Sequence, residues 1–277
     1  VSKVTTQKLR RMKEVGEKIS MVTAYDYPTA VLANRAGIDV VLVGDSLAMT
    51  ILGEDNTVSI GMKEMVHHIK PVVKGAPDAL VIGDMPFGSY QISKKKAVKN
   101  AVQLMKKGGC DAVKLEGGAE MAEVVKAIVD AGIPVMGHIG LTPQTVSKLG
   151  GFKVQGKSSE AAETLLKDAL KLQEAGAWGL VLEAIPEEVG KLITKKSDIP
   201  TIGIGAGRYC DGQVLVFHDM FGLFQRFVPK FVKQYGQLGD QVVDGLETFK
   251  KEIQEGRFPA SEHSFSGVEE EELKHLY

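Results

Sequence analysis

The sequence predicts a (β/α)8 barrel of the TIM type, preceded by an N-terminal helix and followed by a long C-terminal helix. Three observations point there. Eight short β-branched runs recur along the 277 residues, helical stretches separate most of them, and Ala-Gly or Gly-Gly pairs stand directly before several runs. The runs read as near-continuous Val, Ile and Leu rather than as alternation, the pattern of strands covered on both faces in a parallel sheet. A unit of about 25 residues repeated eight times suits a barrel better than a doubly wound open sheet.

In chain order, Leu9, Met12 and Val15 stand at helical spacing, so an N-terminal helix that plugs the bottom of the barrel is expected. The strands are expected in ISMVTAYD from Ile19, IDVVLVGDS from Ile38, ALVIGDMP from Ala79, DAVKLEGG from Asp111, IPVMGHIG from Ile133, WGLVLEAIP from Trp178, IPTIGIGAG from Ile199 and QVLVFHD from Gln213. Periodicity places helices between them over 28–36, 62–74, 94–107, 119–131, 159–175 and Glu187–Lys196. Gly37, Gly109, Gly132 and Gly176 follow four of these helices and are read as left-handed caps. The runs starting at Gly203 and Gln213 lie too close together for a full seventh helix. The last helix is predicted over about 229–254, and the acidic tail GVEEEELKHLY reads as a solvated end. No linker-like shift in composition divides the chain, so residues 1–277 are taken as one domain.

Composition narrows the function. Lys and Arg total 34 against 35 for Asp and Glu, so neither nucleic acid nor an anionic membrane surface is expected as a partner. No uncharged apolar run reaches the length of a membrane span. Two cysteines, Cys110 and Cys210, suggest a reducing compartment, and the charged N-terminus does not resemble a signal peptide. A cytoplasmic enzyme acting on small molecules is the expected class.

Barrel enzymes carry their chemistry at the C-terminal ends of the strands. The last polar residues of successive runs are Asp45, Asp84, Lys114 with Glu116, His138 and Glu183. Lys114 and Glu116 are two apart in an extended run and therefore share a face. Singly, each has a structural reading: a strand-ending Asp caps a turn, and His138 between glycines suits a core. Together, three carboxylates from adjacent strands repel one another unless a cation sits between them, the arrangement that binds a hard ion such as Mg2+. His67 and His68, in a helix, read as structural or solvated. The GIGAG cluster from Gly203 lacks dinucleotide spacing and reads as a tight turn in preference to a backbone N–H cradle for a ligand.

At these residues the sequence resembles the ketopantoate hydroxymethyltransferases. The shared stretches are TAYDYP from Thr23, VGDSLAMT from Val43, GDMPFGSY from Gly83, VKLEGG from Val113, GHIGLTPQ from Gly137 with the GGFKVQG that follows, LEAIP from Leu182, IGIGAG from Ile202 and DGQVLVFHD from Asp211. The resemblance implies a barrel of the phosphoenolpyruvate/pyruvate group, a homo-oligomer that is usually a decamer, and Mg2+-dependent transfer of a one-carbon unit from 5,10-methylenetetrahydrofolate to 3-methyl-2-oxobutanoate through a stabilised enolate. It further implies Asp45 and Asp84 as direct metal ligands and Glu116 as a third, through water. Ser46 and Lys114 then hold the substrate carboxylate, beside Asp45, Asp84 and His138 in the substrate site. Glu183 becomes the general base, with His138 orienting it or a metal-bound water.

One stretch departs from the family pattern. The loop from Ile51 to Gly61 reads ILGEDNTVSIG, without the family's usual Thr-Leu-Pro-Val-Thr, and its length makes it the natural lid. The rival class is a Mg2+-dependent lyase or mutase of the same barrel group. Such enzymes generally need an acid such as cysteine on the lid, and neither Cys110 nor Cys210 lies in this loop. A non-catalytic oxo-acid-binding barrel is the third reading, and it leaves a separate base such as Glu183 without a purpose. Tyr25, Tyr27 and Phe87 are near enough to the rim to be weighed as pterin-stacking groups against ordinary core aromatics.

Overall fold

The strands close on themselves. In the computed structural model, which describes residues 2–267 and 270–274, β1 (Ile19–Thr23), β2 (Val40–Val43), β3 (Leu80–Asp84), β4 (Ala112–Glu116), β5 (Val135–Gly140), β6 (Gly179–Glu183), β7 (Thr201–Ile204) and β8 (Gly212–Leu215) pair in sequence order. All pairs are parallel, and β8 returns to β1. Each expected strand is present, two to five residues shorter than its apolar run suggested, because residues at the ends of the runs leave the ladder to enter loops.

The interior and exterior of this ring are distinct cores. Met21, Leu42, Leu80, Ile82, Ala112, Met136, Val181, Ile202 and Val214 form one apolar cluster with Leu9 and Met12 of α1 (Thr6–Val15). The N-terminal helix therefore plugs the barrel as its spacing predicts. Thr5 caps α1 by accepting a hydrogen bond from the Lys8 N–H, and Lys13 Nζ donates to Asp211 Oδ2 at 2.7 Å, fastening the helix to the barrel floor. Val15 does not join the plug: it is 66% exposed, because Gly16 turns the chain away at positive φ one residue later.

The second core lies between the strands and the outer helices. These are α2 (Tyr27–Arg35), α3 (Leu47–Thr50), α4 (Met62–Gly75), α5 (Lys94–Gln103), α6 (Ala122–Asp130), α7 (Val146–Leu149), α8 (Ser159–Glu174) and α9 (Glu187–Lys196). The predicted helices agree closely, with two refinements: α5 continues into a π turn at Leu104–Gly108, and α6 is preceded by a 3-10 turn at Ala119–Met121. Gly37, Gly109, Gly132 and Gly176 all take positive φ at the helix ends, as the cap reading requires. Outward glycines let the helices sit close; at Gly83 an added Cβ would fall 2.7 Å from Ile69 Cδ1. No helix joins β7 to β8.

The C-terminal prediction needs correction. After β8 comes the short α10 (Phe217–Met220), and the long α11 begins at Leu238, not near 229, and runs to Gln254. Residues 221–237 are irregular, since Pro229 restrains the residue before it and Gly222 and Gly236 interrupt any helical run. Several of the phenylalanines here line a cavity at the barrel mouth. Helix α11 has no buried residue, and α12 (Glu270–Leu273) ends the described chain; the rest of the acidic tail lies outside the described residues. No helix among the described residues is long and apolar enough to cross a membrane.

Truncation of a plug residue should be costly. Leu9→Ala removes a fully buried side chain from the barrel interior and should lower unfolding free energy by about 2–5 kcal/mol. Val15→Ala should change it by less than about 0.5 kcal/mol. Urea denaturation of both variants checks the contrast.

Candidate active site at the barrel rim

Interior side chains recur every second residue along a strand, and this parity builds the site. Ile82 faces the apolar interior, so Asp84 faces it one step higher; Ala112 leads to Lys114 and then Glu116, Met136 to His138, and Val181 to Glu183. Register then chooses the neighbours. Asp84 pairs with Lys114 across β3–β4, and Glu116 with His138 across β4–β5. Asp45 and Ser46 follow the end of β2.

These residues form one buried ionic network. Lys114 Nζ donates to Asp84 Oδ1 and Oδ2 at 2.7 and 2.8 Å and lies 3.7 Å from Glu116 Oε1. The Asp45 backbone N–H donates to Asp84 Oδ2 at 3.1 Å. His138 spans two carboxylates, with Nδ1 at 3.4 Å from Glu116 Oε1 and Nε2 at 3.1 Å from Glu183 Oε2. Both are charge contacts whose angles fall short of hydrogen-bond geometry. Asp45, Asp84, Lys114, Glu116 and His138 are buried, while Glu183 is partly open to the cavity. Ser46 Oγ and Tyr25 OH are 2.7 Å apart.

Proton affinities follow from this crowding. Burial works against a charged His138, but Glu116 and Glu183 prevail and raise its pKa to about 9. Burial likewise opposes the Lys114 charge, and the three carboxylates around it hold its pKa above the ordinary lysine value. Asp45 has no cation in contact; burial, then Asp84 and Glu116, push it well above the carboxylate range. Burial pushes the Tyr25 phenol up to about 12, so it stays protonated.

That imbalance is where the residues fit a divalent ion. With every group ionised, four carboxylates against Lys114 and His138 leave an excess of two negative charges in a mostly buried site. The acidic donors are all oxygens, as Mg2+ prefers. Among the described residues no three His, Cys, Asp or Glu side chains form a ready cluster. Glu116 is turned toward His138 and accepts from the Gln144 N–H at 3.0 Å. A site of one or two direct carboxylates, completed by water and substrate oxygens, suits Mg2+, which keeps several waters.

Sequence reasoning missed two supports and most of the cavity wall. Gln144, in a 3-10 turn after β5, donates through Nε2 to Asp45 Oδ2 at 2.9 Å and to the Met85 carbonyl at 3.0 Å. Tyr90 OH donates to Gln144 Oε1 at 2.7 Å and accepts from the Glu116 N–H at 3.1 Å. Both residues stand in the motif stretches GHIGLTPQ and GDMPFGSY, but neither type announces a scaffold role. Above the network is a cavity of about 370 Å³, walled by Phe152, Phe224, Phe227 and Phe231. The three aromatics weighed in advance do not line it: Tyr25 is buried beneath Ser46, and Tyr27 and Phe87 face solvent. The 51–61 loop reaches the cavity through Thr57 and is anchored by buried Ile60. GIGAG ends β7 with Gly203 and Ile204 and turns from Gly205 onward, and His68, beside exposed His67 on α4, lies 2.7 Å through Nδ1 from the Tyr25 carbonyl, a structural place. Cys110 and Cys210 are buried and unpaired.

The family model for ketopantoate hydroxymethyltransferase matches residues 3–261. The chain belongs to that family. A 3-methyl-2-oxobutanoate hydroxymethyltransferase from Heliobacterium modesticaldum is 54% identical over 275 residues, covering 99% of each chain. One from Desulfotalea psychrophila is 59% identical, covering 92% of this chain and 91% of its own. Among solved structures, a phosphoenolpyruvate phosphomutase from Streptomyces platensis subsp. rosaceus superposes with a TM-score of 0.62 at 16% identity, covering 95% of this chain and 92% of its own. A 2,3-dimethylmalate lyase of the PEP mutase/isocitrate lyase superfamily gives 0.61, also at 16%, covering 94% and 92%. At such identity these two show the barrel alone, while the ketopantoate hydroxymethyltransferase relatives match nearly the whole sequence.

Removing the Tyr90 hydroxyl tests the scaffold. Tyr90→Phe leaves Gln144 Oε1 with only the longer Gln91 Nε2 contact at 3.4 Å and the Glu116 N–H without its acceptor. It should lower stability by about 1–3 kcal/mol, read from the shift in a guanidinium unfolding midpoint.

Proposed function

We propose that this chain, as a cytoplasmic homo-oligomer of the family's decameric kind, transfers the one-carbon unit of 5,10-methylenetetrahydrofolate to 3-methyl-2-oxobutanoate. The products are ketopantoate and tetrahydrofolate, a step of pantothenate biosynthesis. The observation that carries this reading is the separation of duties at the rim. Asp45 stands among carboxylates with no cation in contact, Asp84 beside it is shared with Lys114, and Glu183, on β6, is open to the cavity and touched by His138.

Asp45 and Asp84 would hold Mg2+ directly and Glu116 would hold it through water. Bound there, the ion supplies Lewis acidity to a 2-oxo acid, which makes its C3 proton removable. Lys114 has three ammonium donors and gives two bonds to Asp84, so one remains for the substrate carboxylate. Ser46, held by the protonated Tyr25, gives that carboxylate a second donor. Glu183 takes the C3 proton, and His138 positions its carboxylate. C3 then bonds to the methylene carbon as the carbon–nitrogen bonds to the folate break. Water supplies the hydroxyl, and its remaining proton, with the one taken by Glu183, ends on the two folate nitrogens. The unpaired buried cysteines lie outside the cavity lining, which leaves the lyase reading without a cysteine to serve as its acid.

Proton NMR in D2O with 3-methyl-2-oxobutanoate, Mg2+ and methylenetetrahydrofolate should show a new hydroxymethyl signal that EDTA abolishes. Absence of both that signal and C3 exchange would sink the reading. Glu183→Gln should retain Mg2+-dependent oxo-acid binding and lose about 100-fold or more in turnover. Asp84→Ala should weaken the Mg2+-dependent affinity itself, measured by calorimetry.

A further inference from the structure

The cavity holds another carboxylate, one that the ionic network does not use. Asp219, on α10, is only 8% exposed and lines the same cavity as Asp45 and Glu183. Its Oδ1 is buried and has no hydrogen-bond partner among the described residues. Its main chain, by contrast, is held: the Gln234 amide donates to the Asp219 carbonyl at 3.3 Å. The residue is fixed in place while its acceptor is left for something else. Burial alone pushes its pKa up to about 6, so near neutral pH it remains largely an uncompensated anion.

The wall around it is aromatic. Phe224, Phe227 and Phe231 come from the irregular 221–237 segment, and Phe152 faces them from the β5–α8 connection. Phe227 is 69% exposed although it lines a cavity. Phe231 has a prepared seat: Gly205 takes positive φ, and a Cβ there would fall 2.7 Å from the Phe231 ring. The turn in GIGAG therefore makes room for this ring.

A flat ring between phenyl faces, carrying adjacent N–H donors on one edge, satisfies both features. The 2-amino-4-oxo edge of a reduced pterin has those donors, the ring N3–H beside the exocyclic amine. We infer that Asp219 accepts this edge and that Phe224, Phe227 and Phe231 cover the ring, forming the folate subsite of the cavity. The inference rests on the proposed transfer reaction and adds the residues that select its co-substrate.

Calorimetric titration of the full chain with tetrahydrofolate under argon tests it. Asp219→Asn replaces one acceptor oxygen with a donor at nearly constant shape, and should weaken tetrahydrofolate binding tenfold or more. Its Mg2+-dependent affinity for 3-methyl-2-oxobutanoate should stay within twofold of the parent. Phe227→Ala, at an exposed position that folding does not need, should weaken tetrahydrofolate severalfold. Unchanged tetrahydrofolate affinity in Asp219→Asn, or an equal loss for both ligands, overturns the subsite while leaving the transfer reaction standing. A parent chain that binds the oxo acid but no tetrahydrofolate overturns the folate reading and this inference together.

Discussion

Closing eight parallel strands into a ring is the constraint from which the rest follows. Once the ladder closes, every second residue of a strand is committed to the interior, and the register of each pair decides which interior residues meet. The lower layers are apolar and packed against α1. One step higher the same parity delivers Asp84, Lys114, Glu116, His138 and Glu183. The cross-strand pairs Asp84 with Lys114 and Glu116 with His138 are thus consequences of register. A slip of one residue in β4 would turn Lys114 and Glu116 toward the helices.

Opposite ends of the strands use similar residues for different purposes. At the lower end, Asp111 accepts from the Val81 N–H and pairs with Lys3, and Asp211 accepts from the Thr201 N–H and from Lys13. These carboxylates are spent on backbone and on a cation. At the upper end Asp45 faces two other carboxylates and has no cation in contact. A buried acid satisfied by the backbone is architecture, and one left in surplus charge is a site in wait of a ligand.

The fold was legible in the sequence because barrel strands, buried on both faces, leave unbroken apolar runs, and because glycine caps mark where helices stop. The ionic residues were legible for a related reason: charge at the end of an apolar run has few structural uses. Gln144 and Tyr90 were not, since an uncharged amide and a phenol acquire their role from partners distant in sequence. The 221–237 segment misled for the opposite reason. Its phenylalanines imitate the apolar side of a helix, although several serve a cavity, and the true helix α11 carries its apolar residues exposed.

The plug at the barrel floor bears on traffic through the molecule. With α1 and the packed interior layers below, the ionic network is reached from the rim, past the phenylalanines. Such a chamber works like a blind alley. A small acid seated against Asp84 and Lys114, as proposed above, would lie behind whatever occupied the mouth and would have to arrive first. On the same geometry the part built from it would be the last to leave, its exit waiting on the mouth to clear.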